Sequence, residues 1–200
     1  MVIGITGQTG AGKSTVCSFA GSLGFSTVNA DSVAREALLP GSECLKALAE
    51  FFGYDIIDEN GCCKRDVLAQ RAFSDPDSTQ KLNSLTHPWI ISKSREYIED
   101  LKHKHITAIL FDAPQLFESG GEILCDKVIA VTADKDVRLE RIMQRDNISR
   151  EKALLRINAQ HDESYYTQKA DFIINGGQNK EKVRENFLNI IKQLGIIMEC

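Results

Sequence analysis

The stretch Gly7-Gln8-Thr9-Gly10-Ala11-Gly12-Lys13-Ser14 fits the pattern G-x-x-x-x-G-K-[ST] of a phosphate-binding loop, or P-loop. A short apolar run at Val2–Thr6 precedes the loop, and apolar residues spaced on one helical face follow it between positions 16 and 23. A loop between a strand and a helix wraps its backbone N–H groups around phosphate oxygens, and the helix N terminus adds a favourable potential. The sequence therefore predicts a nucleoside triphosphate site at this loop.

Each residue type in the P-loop has a role in that chemistry. The glycines let the backbone curl, Lys13 places a positive charge on the β- and γ-phosphates, and the Ser14 hydroxyl completes the coordination of Mg²⁺. The predicted nucleotide contacts in this part of the chain are Gly7, Gly10, Ala11, Gly12, Lys13, Ser14 and Thr15.

The rest of the chain predicts an α/β fold in which a five-stranded parallel sheet is flanked by helices. Helical patterns alternate with short apolar runs, as in sheets that are covered on both faces. The predicted strands are Val2–Thr6, Phe25–Asn29, Ile106–Asp112, Lys127–Thr132 and Asp171–Asn175. The clearest helical pattern contains Val183, Phe187, Ile190, Ile191 and Leu194.

We expect one domain over residues 1–200, with a core of residues 1–31, 106–134 and 169–200. Two insertions interrupt this core: a mostly helical segment at 32–105 and an arginine-rich segment at 135–168. Within the first, Thr86-His87-Pro88 is expected to end one helix and start the next, with Pro88 near the first helical position.

The composition narrows the possible partners. The formal net charge is −4, so no overall basic field draws the chain to nucleic acid, and no apolar run has the roughly 18 residues of a membrane span. Without a signal-peptide pattern we expect a cytoplasmic protein with reduced thiols. The six cysteines form no C-x-x-C pair; they are Cys17, Cys44, Cys62, Cys63, Cys125 and Cys200.

The arginine-rich segment points to phosphate. Arg138, Arg141 and Arg145 follow one another at steps of three and four, so their like charges share one helical face. Phosphates would neutralise them, which predicts a lid, with Arg141 at the transferring phosphoryl group and Arg145 also binding the nucleotide. A solvated helix is the alternative, whereas the acidic chain and the lack of interleaved aromatic residues count against a nucleic-acid surface.

A small-molecule kinase fits these features better than a GTPase. The nearest match to the GTPase pattern N-K-x-D, Asn179-Lys180-Glu181-Lys182, lacks the aspartate. A kinase needs an acceptor pocket, a carboxylate near the acceptor hydroxyl and arginines around the phosphoryl group. The segment at 32–105, Asp31 and the arginine-rich segment are the candidates for these parts.

Nearly the whole chain resembles the dephospho-coenzyme A kinase family. The resemblance is carried by Val28-Asn29-Ala30-Asp31, by Leu82-Asn83 leading to His87-Pro88, by the block from Asp112 to Glu118, by Arg141–Asp146 with Arg156 and Gln160, and by Ala170-Asp171. It implies a P-loop kinase fold and the ATP- and Mg²⁺-dependent phosphorylation of the ribose 3′-hydroxyl of dephospho-CoA, the last step of CoA synthesis.

The resemblance also implies roles for single residues, each beside a simpler alternative. Asp31 would orient the acceptor hydroxyl and take its proton or help to hold Mg²⁺, or it would only cap a helix. Asp112 would be a metal ligand or the end of a strand. Asn175 would contact ATP. The implied acceptor contacts are Asp31, Arg65, His87, Pro114, Leu116 and Phe117.

Four positions depart from the family pattern. Asn29 replaces an aspartate, Gln115 replaces a leucine in the acceptor segment, Arg138 stands where glutamine is usual, and Gly176 replaces the second residue of a D-N pair. Two other functions remain open: a P-loop kinase for a nucleotide, nucleoside or shikimate-like acceptor, and a nucleotide-gated switch protein. The sequence gives no oligomeric state.

Overall fold

Five strands form one sheet in the order β2-β3-β1-β4-β5, in a computed structural model that describes residues 1–196. The pairs β1–β3, β1–β4 and β4–β5 are parallel. The strands are β1 (Val2–Thr6), β2 (Ser26–Asn29), β3 (Ile109–Asp112), β4 (Lys127–Thr132) and β5 (Phe172–Asn175). The predicted α/β fold is confirmed, although β3 begins three residues later than expected and β2 and β5 begin one residue later.

The helices are α1 (Lys13–Ser22), α2 (Ala30–Glu36), α3 (Glu43–Phe52), α4 (Arg65–Ala72), α5 (Pro76–His103), α6 (Leu116–Ser119), α7 (Lys135–Asp146), α8 (Arg150–Asn158), α9 (Glu163–Thr167) and α10 (Lys180–Gln193). Short 3₁₀ turns lie at Tyr54–Ile56 and Gly121–Leu124. Of the helices within residues 1–196, none has the length and apolar character needed to cross a membrane.

The chain divides into two compact units, each with its own core. We call residues 1–28 and 100 onward the sheet unit, and residues 29–99 the helical unit. In the sheet unit, every residue of β1 and β3 is buried, and α1 and α10 pack on the same core as the strands. In the helical unit, Leu45, Leu48 and Phe52 of α3 pack with Ile56 and Leu68.

The expected helix break at Thr86-His87-Pro88 is wrong, because α5 runs through Pro88 without interruption. A proline inside a helix removes one backbone hydrogen bond and costs about 3 kcal/mol. Contacts on both sides of Pro88 offset this cost. Leu85 and Trp89 pack on the core of the helical unit, and the Tyr97 hydroxyl donates to the Glu36 carboxylate over 2.6 Å.

Five cysteines are free thiols in the described residues: Cys17, Cys44, Cys62, Cys63 and Cys125. Cys200 lies outside the described residues. Within residues 1–196, no three or more His, Cys, Asp or Glu side chains are grouped so that they could hold a metal ion by themselves.

Candidate functional site

The P-loop connects the end of β1 to the start of α1, and its glycines are needed for their backbone geometry. Gly7, Gly10 and Gly12 have φ angles of 144°, 78° and 102°, which side-chain-bearing residues rarely adopt. A Cβ atom on Gly7 would lie 2.2 Å from the carbonyl oxygen of Val131 in β4. The loop therefore lies against the neighbouring strand, and only glycine permits this approach.

The N terminus of α1 is built to receive an anion. Gly12 precedes the helix in a left-handed conformation, and no side chain caps the first turn. The first N–H groups of a helix have no partner within the helix, so those at Lys13 and Ser14 remain for a ligand. These free donor groups fit the oxygens of a bound polyphosphate.

Lys13 and Asp112 form an ion pair between α1 and the end of β3. The Lys13 ammonium donates to Asp112 Oδ1, and the two side chains are only 18% and 12% exposed. The Cys17 thiol lies one turn further along α1, where burial and the nearby Asp112 carboxylate raise its pKa to about 12. Cys17 therefore stays protonated at neutral pH and supplies no nucleophile.

The same place suits Mg²⁺. Mg²⁺ prefers oxygen ligands and is usually held by one or two carboxylates together with substrate phosphates. Ser14, which is exposed in the first turn of α1, offers a hydroxyl, and Asp112 offers a carboxylate. The structure places Asp112 at the end of β3 and beside the P-loop lysine, and its expected metal contact stays a prediction.

Arg138 on α7 is buried and holds the P-loop. It is 4% exposed, its Nε donates to the carbonyl oxygen of Thr9 over 2.9 Å, and its Nη2 lies 3.4 Å from Gln160 Oε1. Burial lowers the pKa of its guanidinium. Both donors meet uncharged acceptors of the protein itself, so Arg138 is engaged with the loop backbone.

Arg141, one turn further along α7, also bonds to backbone carbonyl oxygens. Its Nη2 donates to Gly176 over 2.9 Å, and its Nη1 lies 3.2 Å from the oxygen of Gly10 and 3.3 Å from that of Ala11. This side chain therefore joins the P-loop to the chain that follows β5. Its expected contact with the transferring phosphoryl group stays a prediction.

Arg145 has a different partner from the other two arginines. Its guanidinium donates to the adjacent Asp146 carboxylate over 2.8 and 2.9 Å, and Arg156 pairs with the same carboxylate. Arg145, followed by Arg156, holds the pKa of Asp146 below its usual range. The three arginines expected on one phosphate-binding face thus divide between the P-loop backbone and an ion-pair cluster, and the nucleotide contact of Arg145 stays a prediction.

The chain after β5 explains one departure from the family pattern. A Cβ atom on Gly176 would lie 2.1 Å from the carbonyl oxygen of Ala11, so this position accepts only glycine while the P-loop keeps its shape. Asn175 is exposed and its Oδ1 accepts the Gly177 N–H over 2.8 Å. Asn175 therefore directly precedes the residue that lies against the P-loop, and its expected contact with ATP stays a prediction.

The segment from Pro114 to Glu118 is anchored within the sheet unit. The Thr6 hydroxyl donates to the Pro114 carbonyl oxygen over 3.1 Å, and the buried Tyr166 hydroxyl donates to Glu118 over 2.9 Å. Leu116 and Phe117 are both buried, and the Phe117 ring packs edge-on against Tyr165. Burial gives both side chains a packing role, and their expected acceptor contacts stay predictions.

In the helical unit, Asp31 is exposed in the first turn of α2 and does not cap it. The cap is Asn29, whose Oδ1 accepts the Ser32 N–H over 2.9 Å. The alternative of Asp31 as the helix cap is therefore wrong, and the departure at Asn29 supplies the cap. Arg65 is exposed at the first position of α4, and His87 is partly buried within α5.

Sequence reasoning missed the part that Gln8 and Tyr166 take in this site. The Gln8 Nε2 donates to the carbonyl oxygen of His161 over 2.9 Å, which ties the P-loop to the connection between α8 and α9. A glutamine at a variable position of the motif carried no signal. The Tyr165-Tyr166 pair in a polar segment was the available hint for Tyr166.

Comparisons with known proteins agree over nearly the whole length. A family model described as "CoaE: Dephospho-CoA kinase" matches residues 1–182. A protein named dephospho-CoA kinase from Listeria monocytogenes serovar 1/2a is 36% identical over 195 residues, with 96% of each chain covered.

Two solved structures share the fold at 28–29% sequence identity. TT1252 from Thermus thermophilus has a TM-score of 0.80 and 29% identity, with 97% of each chain covered. Dephospho-CoA kinase from Campylobacter jejuni has a TM-score of 0.63 and 28% identity, with 96% of each chain covered.

Proposed function

Because the chain belongs to the dephospho-CoA kinase family, we propose that it transfers the γ-phosphoryl group of ATP to the ribose 3′-hydroxyl of dephospho-CoA. The products are CoA and ADP, and this reaction completes CoA synthesis. The observation that carries the proposal is the family match over residues 1–182. It agrees with a P-loop that leads into a helix without a side-chain cap and whose Lys13 lies beside Asp112. The proposal sets the reaction in the cytoplasm, where ATP is supplied.

The P-loop would bind the nucleotide through its backbone and Lys13. An ammonium group has three donors, so the ion pair with Asp112 leaves two for the β- and γ-phosphate oxygens. Ser14 and Asp112 would hold Mg²⁺, which when bound neutralises charge on the phosphates. Lys13 follows the phosphoryl group as it moves and stabilises the charge of the transition state.

Asp31 would act on the acceptor. Its exposed carboxylate accepts the proton of the 3′-hydroxyl as that oxygen forms a bond to the γ-phosphorus and the bond to the leaving ADP oxygen breaks. Arg65 would bind the acceptor pyrophosphate, with His87 and the segment Pro114–Phe117 as further acceptor contacts. These roles rest on the family pattern.

Arg141 and Arg145 would complete the site from α7. Arg141 would exchange neutral backbone carbonyl oxygens for phosphate oxygens when it reaches the transferring group. To bind the nucleotide, Arg145 would leave the Asp146 carboxylate, which it shares with Arg156. The higher negative charge of the phosphates favours both exchanges.

An acceptor panel tests the proposal directly. The protein is incubated with MgATP and, separately, dephospho-CoA, adenosine, AMP and shikimate, while ADP release is followed and each product is identified by mass spectrometry. We expect dephospho-CoA to be the preferred acceptor, since adenosine forfeits the binding energy that positions the hydroxyl. Faster turnover of AMP, a nucleoside or shikimate would contradict the proposal. Hydrolysis independent of every acceptor would point to the switch protein.

A further inference from the structure

Arg138 is a buried cation that the reaction scheme does not use. It lies on α7 with 4% of its surface exposed, and it occupies a position where the family pattern has glutamine. Removing a guanidinium from water is costly even when its donors are satisfied. Its two partners, the Thr9 carbonyl oxygen and Gln160 Oε1, are both uncharged, so no ion pair with them offsets this cost.

Arg138 and Gln160 together hold both polar groups of the Thr9 backbone. Gln160 Oε1 accepts the Thr9 N–H over 2.8 Å, while Arg138 Nε donates to the Thr9 carbonyl oxygen over 2.9 Å. The arginine Nη2 also lies 3.4 Å from Gln160 Oε1, which links the two side chains. We call these three residues the Thr9 clamp.

The clamp adjoins a P-loop residue with a left-handed backbone conformation. Thr9 precedes Gly10, whose φ of 78° lies in the left-handed region. A Cβ atom on Gly10 would lie 2.8 Å from the Arg138 carbonyl oxygen, so the backbone of α7 also rests on this glycine. With its N–H and carbonyl oxygen both bonded, Thr9 cannot reorient without breaking contacts to α7 and to the α8–α9 connection.

We propose that Arg138 and Gln160 are positioning residues that set nucleotide affinity by holding the P-loop in its phosphate-binding turn. The hydrogen bonds that define the clamp go to the loop backbone and between its two side chains. Its loss therefore raises the KM for ATP and leaves the KM for the acceptor nearly unchanged. The inference rests on the proposed function for the identity of the nucleotide.

The test compares variants from both sides of the clamp. Arg138→Met removes the donors and keeps much of the volume, and Gln160→Leu removes the acceptor. Gln160→Glu keeps an oxygen for the Thr9 N–H and gives Arg138 a charged partner. Arg184→Met, on the exposed face of α10, is the control. ATP binding by calorimetry, the KM for each substrate, kcat and the thermal midpoint are measured on every variant.

We expect ATP affinity to fall about tenfold or more in Arg138→Met and in Gln160→Leu, because each breaks a hydrogen bond to or from a buried group. The KM for dephospho-CoA stays within about twofold, and the double variant loses less than the product of the two single losses. The loss of ATP affinity in Gln160→Glu is at most half of the loss in Gln160→Leu. The control Arg184→Met binds ATP as the wild type does.

Three results would overturn the clamp: ATP affinity as in the control, a parallel rise of both KM values with a fall in thermal midpoint, or independent losses in the double variant. Arg138→Lys keeps the protein charged at this position and serves as the second measurement if Arg138→Met does not fold. Calorimetric ATP binding needs no acceptor, so a wild-type protein that binds ATP but ignores dephospho-CoA refutes the proposed function and leaves the clamp testable.

Discussion

The P-loop region and the helical unit differ in the kind of groups that form their candidate binding residues. In the P-loop, the conformation is fixed by glycine backbone angles and by hydrogen bonds between backbone atoms of the loop and the side chains of Gln160, Arg138 and Arg141. In the helical unit, the candidate residues Asp31 and Arg65 are exposed side chains at the starts of helices. A phosphate site is thus built from backbone, whereas the proposed acceptor contacts depend on individual side chains.

This difference predicts different responses to mutation. Mutations in the P-loop region alter either the positive charge that faces the phosphates or the shape of the loop. Mutations that alter the shape of the loop also alter stability. Changes at exposed positions of the helical unit alter turnover or local helix stability without disturbing the nucleotide site.

The largest effect is expected from Lys13→Ala. The variant loses the charge proposed to follow the phosphoryl group, so we expect kcat to fall by about 10²- to 10³-fold or more. Its partner Asp112 is largely buried, so the thermal midpoint should also fall slightly. Turnover of dephospho-CoA and a melting curve check both points, with the exposed Lys182→Ala on α10 as the control. Wild-type turnover in Lys13→Ala would rule out the P-loop as the catalytic nucleotide site.

Asp31→Asn tests the helical unit by removing the proposed base and keeping the shape of the side chain. We expect turnover to decrease by roughly 10²-fold or more, while ATP affinity and the thermal midpoint stay as in the wild type, because the side chain is exposed. Steady-state kinetics and ATP titration measure the two quantities. A loss of ATP affinity equal to the loss of turnover would place Asp31 in the nucleotide site instead.

Gly176→Ala tests whether the P-loop region depends on close backbone approach. The added methyl group meets the Ala11 carbonyl oxygen, so the loop or the chain after β5 must shift, at a cost of about 1–3 kcal/mol in unfolding free energy. ATP affinity should fall as well. Chemical denaturation and ATP titration follow the two effects.

Gly21→Ala is the matched control for Gly176→Ala, because Gly21 lies in α1 and a Cβ atom there has no neighbour within 4 Å. This variant should gain about 0.5–1 kcal/mol in helix stability. Equal stability of the two alanine variants would contradict the close approach at Gly176.

The smallest effect is expected from Asn29→Ala, which removes the cap of α2. The cap accepts one N–H group, from Ser32, and its loss should lower the unfolding free energy by about 1 kcal/mol. Asn29→Asp keeps an accepting oxygen and should retain most of the stability in denaturant unfolding. If the alanine and aspartate variants lose equal stability, the cap contributes nothing measurable.

Much of the fold follows from local patterns. The apolar runs of β1 and β4 have the bounds expected from the sequence, and α10 covers the predicted C-terminal pattern except Leu194, which caps the helix. The P-loop follows in the same way, since glycine spacing, Lys13 and Ser14 carry information about a backbone conformation within eight residues. The carboxylate at Asp112 was also placed correctly at the end of β3.

The prediction failed where distant contacts overrule a local preference. Pro88 reads as a helix boundary, but packing by Leu85 and Trp89 keeps α5 continuous. The phosphate contacts expected of Arg141 and Arg145 stay predictions, but periodicity left out the protein partners of the arginines at 138, 141 and 145, since it shows which side chains share a face and not what lies opposite. Their partners at Thr9, Gly176 and Asp146 were beyond that kind of reasoning.

The sequence by itself determined the succession of the five strands along the chain, the P-loop and its lysine. These features depend on residues that are adjacent or regularly spaced in the chain. Only the tertiary structure decided that α7 holds the P-loop backbone, that Gly176 must be a glycine and that Asn29 caps α2 while Asp31 remains exposed. The bond from Arg138 to Thr9 joins residues far apart in the chain. Such a contact exists only after the sheet has brought the ends of its strands together, so no local pattern specifies it.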